Sequence, residues 1–463
     1  MKTMLNADSM HRLAKMALDS GEVDTPEDAI ERFSQYRLRL HLGGGWANTL
    51  AGQACFVTAL NAAARAFLGG VEVTGEVDET LRLPLFMDRD VVSVIEELGG
   101  NVVAAKDVSV PTLVIGASMP EPRPAFCVHL SWNHWCCAIS PDATGFQRHD
   151  DNSLAGMAAA ALGVNEAFMY VRGDAPDAGH RDVSLSLWNP LGATDWHELE
   201  NRGPSLRYLP KELWLIGLGN LGQAYAWGLG MLPYPYGELP HVVLQDFDAA
   251  TESNLSTCMM LSPNDLGRLK VRVVANRLEA AGFTTTLVER QFGPHHRLMN
   301  GEPTTALFGV DNVTARRDLD SAGFALAVEA GLGSGYRDFR NIRTHTFPGP
   351  RSPLDIWPAD SASQPAVKLN NTYQRLADER DDLCGMTVLA SRAVATPFVG
   401  ALAAALVLSE VIRPLHGGGI HATLDVQMKQ LRHRAGSHAT VYRGLPTPWV
   451  ARNAASPNPG ASR

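Results

Sequence analysis

The chain has 463 residues, 45% of them hydrophobic and 19% charged, with a formal net charge of −9. At about 150 residues per domain, this length fits two or three domains with sizeable cores, and the composition excludes wholesale disorder. The acidic balance argues against an extended nucleic-acid surface.

Two halves follow one another along the chain, each opening on a strand, a glycine turn and a helix. In the first, residues 37–42 (RLRLHL) read as a strand, Gly43-Gly44-Gly45 as a turn and 46–67 as an apolar helix. Gly69-Gly70 stops that helix and 71–77 (VEVTGEV) is the next strand, a β–turn–α–β order. A helix in DVVSVIEELGG, a strand at 112–115, paired apolar runs at 125–139 and a small-residue helix at 154–167 complete this half. The segment 189–204 is polar with Gly and Pro, and marks the boundary.

The second half is cleaner. Residues 212–216 (ELWLI) form a strand, Gly217-Leu218-Gly219-Asn220-Leu221-Gly222 a turn, and a helix runs to about Met231. Strands are expected at 241–247, 284–288, 305–310 and 325–329, with helices at 266–281 and 314–322 between them. Strands alternating with helices imply an α/β fold with a parallel sheet covered on both faces. The stretch 393–409 carries no charge but falls short of the roughly 20 residues a membrane span needs, so it reads as a buried core helix and no membrane association is expected. Residues 451–463 read as a disordered tail.

Six cysteines are scattered with no C-x-x-C pair, so no zinc site of ordinary spacing is expected. The opening MKTMLNADSMHRLAKMAL has no continuous apolar run, and the compartment is read as cytoplasmic with reduced thiols. Cys136 and Cys137 in WNHWCC read as buried strand residues, Cys258 as core, and His129 and His134 as structural.

A GxGxxG turn between strand and helix aims helix amides at an anion and fits NAD, FAD or ATP equally. Asp246 and Asp248, ending the next strand, can hold ribose hydroxyls. More specific is the order that follows: Asp246-Phe247-Asp248, Ser253-Asn254-Leu255, Gly267-x-x-Lys270 opening a helix, then Asp311-Asn312 with Arg316 after the next strand. This order resembles the ThiF/ubiquitin-activating superfamily over about 205–413.

The resemblance implies two Rossmann-like ThiF-type domains: a degenerate copy at 1–195, lacking D-x-D, S-N-L and the helix lysine, and an active copy at 205–450 with a crossover and cysteine segment near 345–395. The helices at 152–168 and 396–412 echo each other, each with a late acid, Glu166 and Glu410. It further implies that Gly217, Gly219, Asn220, Gly222, Asp246, Asp248 and Arg316 surround ATP, that Asn254 and Lys270 contact phosphates, that Asp311 ligates Mg²⁺, and that Cys384 in DERDDLCGM takes the activated acyl group as a thioester. Lys270 would act as a point charge and Asp311 would supply a hard oxygen. Where the family carries an arginine after S-N-L, this chain has Thr257; Arg268, Arg272, Arg32 and Arg37 are candidate substitutes.

The chain looks most like the activating enzymes of Bil-type antiphage operons. That likeness implies a ubiquitin-like protein and a conjugating enzyme as partners, no nucleic acid, a role in antiviral defence, and room for a homodimer. Sulfur-carrier and tRNA-modifying ThiF-type adenylyltransferases, a NAD-dependent oxidoreductase and a weakened scaffold are the alternatives.

Overall fold

A computed structural model describes residues 5–104, 107–142, 152–192, 198–235, 237–358, 369–439 and 448–451. Two mixed sheets make up the fold. The first contains β1 (Leu38–Leu42), β2 (Val71–Gly75), β3 (Gly100–Val102), β4 (Thr112–Ile115), β5 (Cys127–Asn133), β6 (Cys136–Ser140) and β7 (Val183–Ser186) in the order β3-β2-β1-β4-β5-β6-β7. After a short pairing strand, β8 (Tyr208–Pro210), the second sheet holds β9 (Glu212–Ile216), β10 (His241–Gln245), β11 (Thr284–Val288), β12 (Thr305–Phe308), β13 (Leu326–Leu332), β14 (Asn341–Phe347), β15 (His421–Gln427) and β16 (Arg434–His438) in the order β11-β10-β9-β12-β13-β14-β15-β16. The first seven positions of the two orders match strand for strand, and β16 extends the second sheet. Each sheet has five parallel strands followed by antiparallel ones, from β5 to β7 in one and from β13 to β16 in the other. The topology is thus that of a duplicated unit.

Four apolar helices fill the space between the sheets: Leu50–Ala64, Ser153–Arg172, Asn220–Met231 and Pro397–Ile412. They lack a polar face because each is surrounded by the others and by a sheet. Close approach demands small residues. A Cβ at Gly156 would lie 2.0 Å from the Ala51 carbonyl oxygen, and one at Gly228 would lie 2.5 Å from Leu408. The indole of Trp227 donates to Thr58 Oγ1 (2.9 Å), joining the halves through the core. The two longest apolar helical stretches match a membrane span in length and composition, yet 89% and 94% of their most apolar windows are buried inside the fold.

The helical echo holds in detail. Asn152 caps one helix and Thr396 the other. The late acid of each is buried and ion-paired, Glu166 with Arg181 (3.0 Å) and Glu410 with Arg413 and His421. Some expected boundaries shift. The 266–281 helix begins only at Lys270, after a single turn at Pro263–Asp265, and the 314–322 helix divides into Val313–Arg317 and a tighter turn at Leu319–Ala322. Ala451, placed in the tail from sequence, instead ends strand β17 (Trp449–Ala451), which pairs with β8; residues 452–463 lie outside the described residues. Cys136 and Cys137 are buried in β6, and burial pushes the Cys136 thiol up to about 11 and that of Cys137 higher still. His129 is buried in β5, and His134 turns the chain between β5 and β6 with φ 53°.

Candidate functional site

The carboxyl ends of β9, β10 and β12 converge where the strand order reverses, the place where open α/β sheets bind ligands. The glycine turn leaves β9 here. A Cβ at Gly222 would stand 1.8 Å from the Gly217 carbonyl oxygen, so only glycine lets the helix press against the strand end. Gly219 is the opposite case: a Cβ there meets nothing within 4 Å. The backbone at Gly219 is open to a ligand. Asn220, expected beside the ligand, instead donates its amide to the Thr396 carbonyl (3.3 Å) and ties the turn to the cap of the Pro397–Ile412 helix.

Asp246 is 8% exposed, one residue past β10. Its Oδ2 accepts from the Leu218 amide (2.5 Å) and its Oδ1 from the Asp248 amide (2.7 Å). Burial raises its pKa, only partly offset by those amides and by Lys270. Lys270, 7% exposed, opens its helix and donates Nζ to Asp248 Oδ2 (3.0 Å). Burial opposes its charge, but Asp246 and Asp248 win, and its pKa sits above the usual lysine value. The backbone repeats this contact, since Lys270 N–H donates to the Asp248 carbonyl (2.9 Å).

Asn254 closes a capping box. Its Oδ1 accepts from the Thr251 amide (3.0 Å), shaping the turn Glu252–Ser256. Thr257 is buried and its amide bonds the Asn254 carbonyl. None of the four arginines proposed to replace the missing one serves this turn. Arg268 pairs with Asp265, Arg272 with Glu289, Arg32 with Glu22, and Arg37 with Glu72 and Asp107. The arginine that arrives is Arg12, from a segment the sequence reading left unassigned. Its N–H donates to Ser256 Oγ (3.1 Å), while the Asp8 carbonyl accepts from the Ser253 amide (2.7 Å). The guanidinium lies within electrostatic reach of Asp311, Asp8, Cys258 and Arg392. Cys258 is fully buried in a small apolar cluster and feels Lys270, Arg65 and Asp246 as well. Electrostatic reach thus links Arg12 to Asp311 and, through Cys258, to Lys270 and Asp246 past the carboxyl ends of β10 and β12. A positive residue in the first 20 positions, outside any repeat, was the available signal for Arg12.

Asp311 is exposed just past β12, followed by Asn312, which caps the next turn. Among the described residues no group of three or more His, Cys, Asp or Glu could cage a metal. A lone carboxylate beside a phosphate site suits Mg²⁺, which binds through one or two carboxylates plus substrate phosphates. Arg316, expected around the ligand, braces this loop. Its Nε and Nη2 donate to the Val310 carbonyl (3.0 and 2.8 Å), its Nε pairs with buried Glu329 (3.0 Å), and it fixes the loop that presents Asp311.

Cys384 is exposed and the other five cysteines are buried. It sits in the first turn of the helix Leu383–Ser391, whose cap Asp382 accepts from Gly385 N (2.7 Å). Arg392, eight residues on, pairs with Asp8 beside the Ser253 turn. At 1.5 Å per residue, Cys384 lies about 12 Å along the helix from that contact.

The first half differs at the corresponding place. Glu76 stands one residue past β2 as Asp246 does past β10, with Asp78 after it, so an E-x-D pair occupies the place where D-x-D is missing. The Val91 amide donates to the Glu79 carbonyl as the Lys270 amide does to Asp248, which puts valine in the lysine's place. Trp46 is buried and donates its indole N–H to the Glu76 carbonyl (2.8 Å).

A family model described as the BilD C-terminal domain matches residues 209–418, and one described as the BilD N-terminal domain matches 37–187. A protein of Collimonas sp. (strain OK412), described as "Bacterial E1-like protein BilD", is 39% identical over 464 residues, covering 97% of this chain and 99% of its own. Among solved structures, E. coli MccB with ATP aligns at 12% identity over 50% of this chain and 64% of its own, with a TM-score of 0.33. E. coli tRNA N6-threonylcarbamoyladenosine dehydratase, TcdA, aligns at 15% identity over 45% and 86%, with a TM-score of 0.30.

Proposed function

We propose that this chain, which belongs to the BilD family, is an adenylyltransferase that uses ATP to activate the C-terminal carboxylate of a ubiquitin-like protein. The observation that carries this reading is the crevice at the ends of β9, β10 and β12, where an open glycine backbone meets two cations, Lys270 and Arg12, and two separate carboxylates, Asp246 and Asp311. A carboxylate attacking a polyphosphate brings anions together, and placed cations offset that repulsion.

In this reading Asp246 accepts from the ribose hydroxyls, and the Gly219 backbone passes close to the nucleotide. Lys270 and Arg12 bind the phosphates, Arg12 supplying the donor fork that Thr257 lacks. Mg²⁺ held by Asp311 neutralises phosphate charge when bound. An oxygen of the partner's terminal carboxylate bonds to the α-phosphorus, the α–β bridging bond breaks, and pyrophosphate leaves. The Cys384 thiolate then attacks the acyl carbon, AMP departs, and a thioester remains for a conjugating enzyme. We place the reaction in the cytoplasm and in a bacterial conjugation pathway serving antiviral defence, on the strength of the family likeness.

The test is exchange of labelled pyrophosphate into ATP, with a ubiquitin-like protein that ends in a free carboxylate as substrate. Exchange that requires that protein, with a thiol-sensitive adduct lost in Cys384→Ala, is the expected result. Exchange without an adduct would leave adenylation standing and remove Cys384. Absence of both exchange and ATP binding would remove the function.

A further inference from the structure

The N-terminal arm, residues 5–19, belongs to neither sheet. Its middle touches the nucleotide turn through the backbone, the Arg12 amide donating to Ser256 Oγ and the Asp8 carbonyl accepting from the Ser253 amide. Its far end holds a lysine that is 1% exposed. Lys15 Nζ lies 2.6 and 2.7 Å from the two carboxylate oxygens of Asp19, 3.4 Å from the Ala390 carbonyl oxygen and 5.6 Å from the centre of the Tyr373 ring. The Tyr373 hydroxyl donates to the same Asp19 carboxylate (2.6 Å). The Asn370 amide donates to the carbonyls of Leu18 (3.0 Å) and Asp19 (3.3 Å). Ala390 and Arg392, both engaged by the arm, mark the C-terminal end of the helix that carries Cys384.

Two features make this more than ordinary packing. A buried lysine loses hydration that a methionine of similar volume would not, so its presence calls for a geometric reason. The Cys384 helix has nine residues and only Met386 and Leu389 buried, while Leu383, Cys384 and Val388 are exposed. So short a helix with so little core owes its position to its neighbours, and among the described residues its closing turn is bonded to the arm.

We propose that Lys15, Asp19 and Tyr373 form a joint that holds Arg12 at the nucleotide turn and the Cys384 helix beside it as one unit. The three are positioning residues. The inference rests on the function proposed above for its catalytic half, and on geometry alone for the other half. Displacing the joint frees Arg12 and Cys384 together, whereas removing the Arg12 side chain frees neither.

The experiment uses the full chain and four variants: Tyr373→Phe, Asp19→Asn, the conservative Asp19→Glu, and Arg12→Ala. Deuterium labelling of the backbone amides of the Leu383–Ser391 helix, read by mass spectrometry without nucleotide, reports how firmly that helix is held, because its amides exchange only when it opens. Tyr373→Phe and Asp19→Asn are expected to speed labelling about threefold or more through local opening. Asp19→Glu should lie nearer wild type, and Arg12→Ala should match it. In pyrophosphate exchange the joint variants should raise KM for ATP about fivefold with a smaller change in kcat. Unchanged labelling in Tyr373→Phe, which keeps the packing volume, overturns the joint whatever the exchange shows. Faster labelling with an unchanged KM overturns its link to Arg12. A wild-type chain that neither binds ATP nor exchanges sinks the function instead, and the labelling series still decides the joint.

Discussion

Replacing Arg12 with alanine should move ATP affinity and ATP-free stability in opposite directions. Burial is the largest influence on this guanidinium and lowers its pKa; Arg392 lowers it further, and Cys258, Asp8 and Asp311 offset only part of that. A base whose folded pKa lies below its unfolded value costs the fold stability wherever it is charged, which includes neutral pH. Without nucleotide, Arg12→Ala removes that cost. The arm keeps its seat, because Asp8 accepts through its carbonyl and residue 12 donates through its amide. With nucleotide, the variant loses a charge-assisted hydrogen bond worth about 1.5–3 kcal/mol, which is roughly a 10- to 150-fold weaker Kd for Mg-ATP.

Calorimetric titration with Mg-ATP gives the first number, and thermal melts with and without Mg-ATP give the second. The melting temperature of the free variant should equal or exceed that of wild type, while the stabilisation conferred by ligand shrinks. Arg12→Lys should fall between, since it keeps the charge but not the planar fork. A variant that binds Mg-ATP as wild type does would refute the assignment of Arg12 to the phosphates. A large drop in ATP-free melting temperature would refute the claim that its charge strains the empty site.

Lys270→Met leaves Asp246 8% exposed without its nearest cation; exchange should fall about 100-fold or more, and a residual rate within a few-fold of wild type would contradict the role. The stability loss in urea should stay near 1–3 kcal/mol, because the other partner, Asp248, is 52% exposed and screened. Gly222→Ala and Gly219→Ala should separate cleanly: the first drives a methyl to within 1.8 Å of a carbonyl oxygen and should destabilise the fold by about 1–3 kcal/mol, while the second enters open space and should weaken only nucleotide binding. For Glu410, burial alone would raise the pKa, but Arg413 and His421 more than offset it and hold it below 4.5. Its contribution to stability is therefore complete above pH 4.5 and is lost as pH falls through the folded pKa. Urea titrations of Glu410→Gln should show a shallower acid-side decline than wild type, and parallel curves would count against that pairing.

The second half was legible because its strands are short apolar runs bounded by glycine and aspartate. The ELWLI strand and the 284–288 strand fall at the predicted residues, since a β–turn–α unit writes both its periodicity and its punctuation into the sequence. The antiparallel additions β14, β15 and β16 were not anticipated. Asn341–Phe347 interleaves polar residues although it lies inside the sheet between β13 and β15, and Arg434–His438 is a mostly exposed edge strand, so neither carries a continuous apolar signal. Asp246, Lys270 and Asp311 could be named from motif order, but the partners of Asn220 and Arg316 could not. Both residues face long-range carbonyl groups, Thr396 in one case and Ala330 in the other, and nothing local announces them. Arg12 escaped for a similar reason. Its target, Ser256, lies 244 residues away.

The comparison of the two halves also explains why one chain should bind one nucleotide. The first half keeps the acid past its second strand, Glu76, so the lesion is not there. At the place of Lys270 it has Val91, which is fully buried, and Arg82, the cation at its glycine turn, donates to the Ala47 and Asn48 carbonyls (3.0 and 2.9 Å). Its glycine turn spans residues 43–52 against 217–222, and the added length carries Trp46 into the interior with its indole bonded to the Glu76 carbonyl. Both changes trade ligand contacts for packing: an indole and a valine bury apolar surface where the second half keeps an open backbone and a cation. The stabilised half then serves the working one. From the Leu50–Ala64 helix and just beyond it, Asn61 donates to the Met259 carbonyl (2.9 Å) and Arg65 to the Leu261 carbonyl (2.8 Å), holding the chain that leaves the Ser253 turn. Restoring charge with Val91→Lys should therefore destabilise the fold without creating a second site. Titration of wild type and of this variant should each give one ATP per chain, and a stoichiometry of two in either would overturn the account.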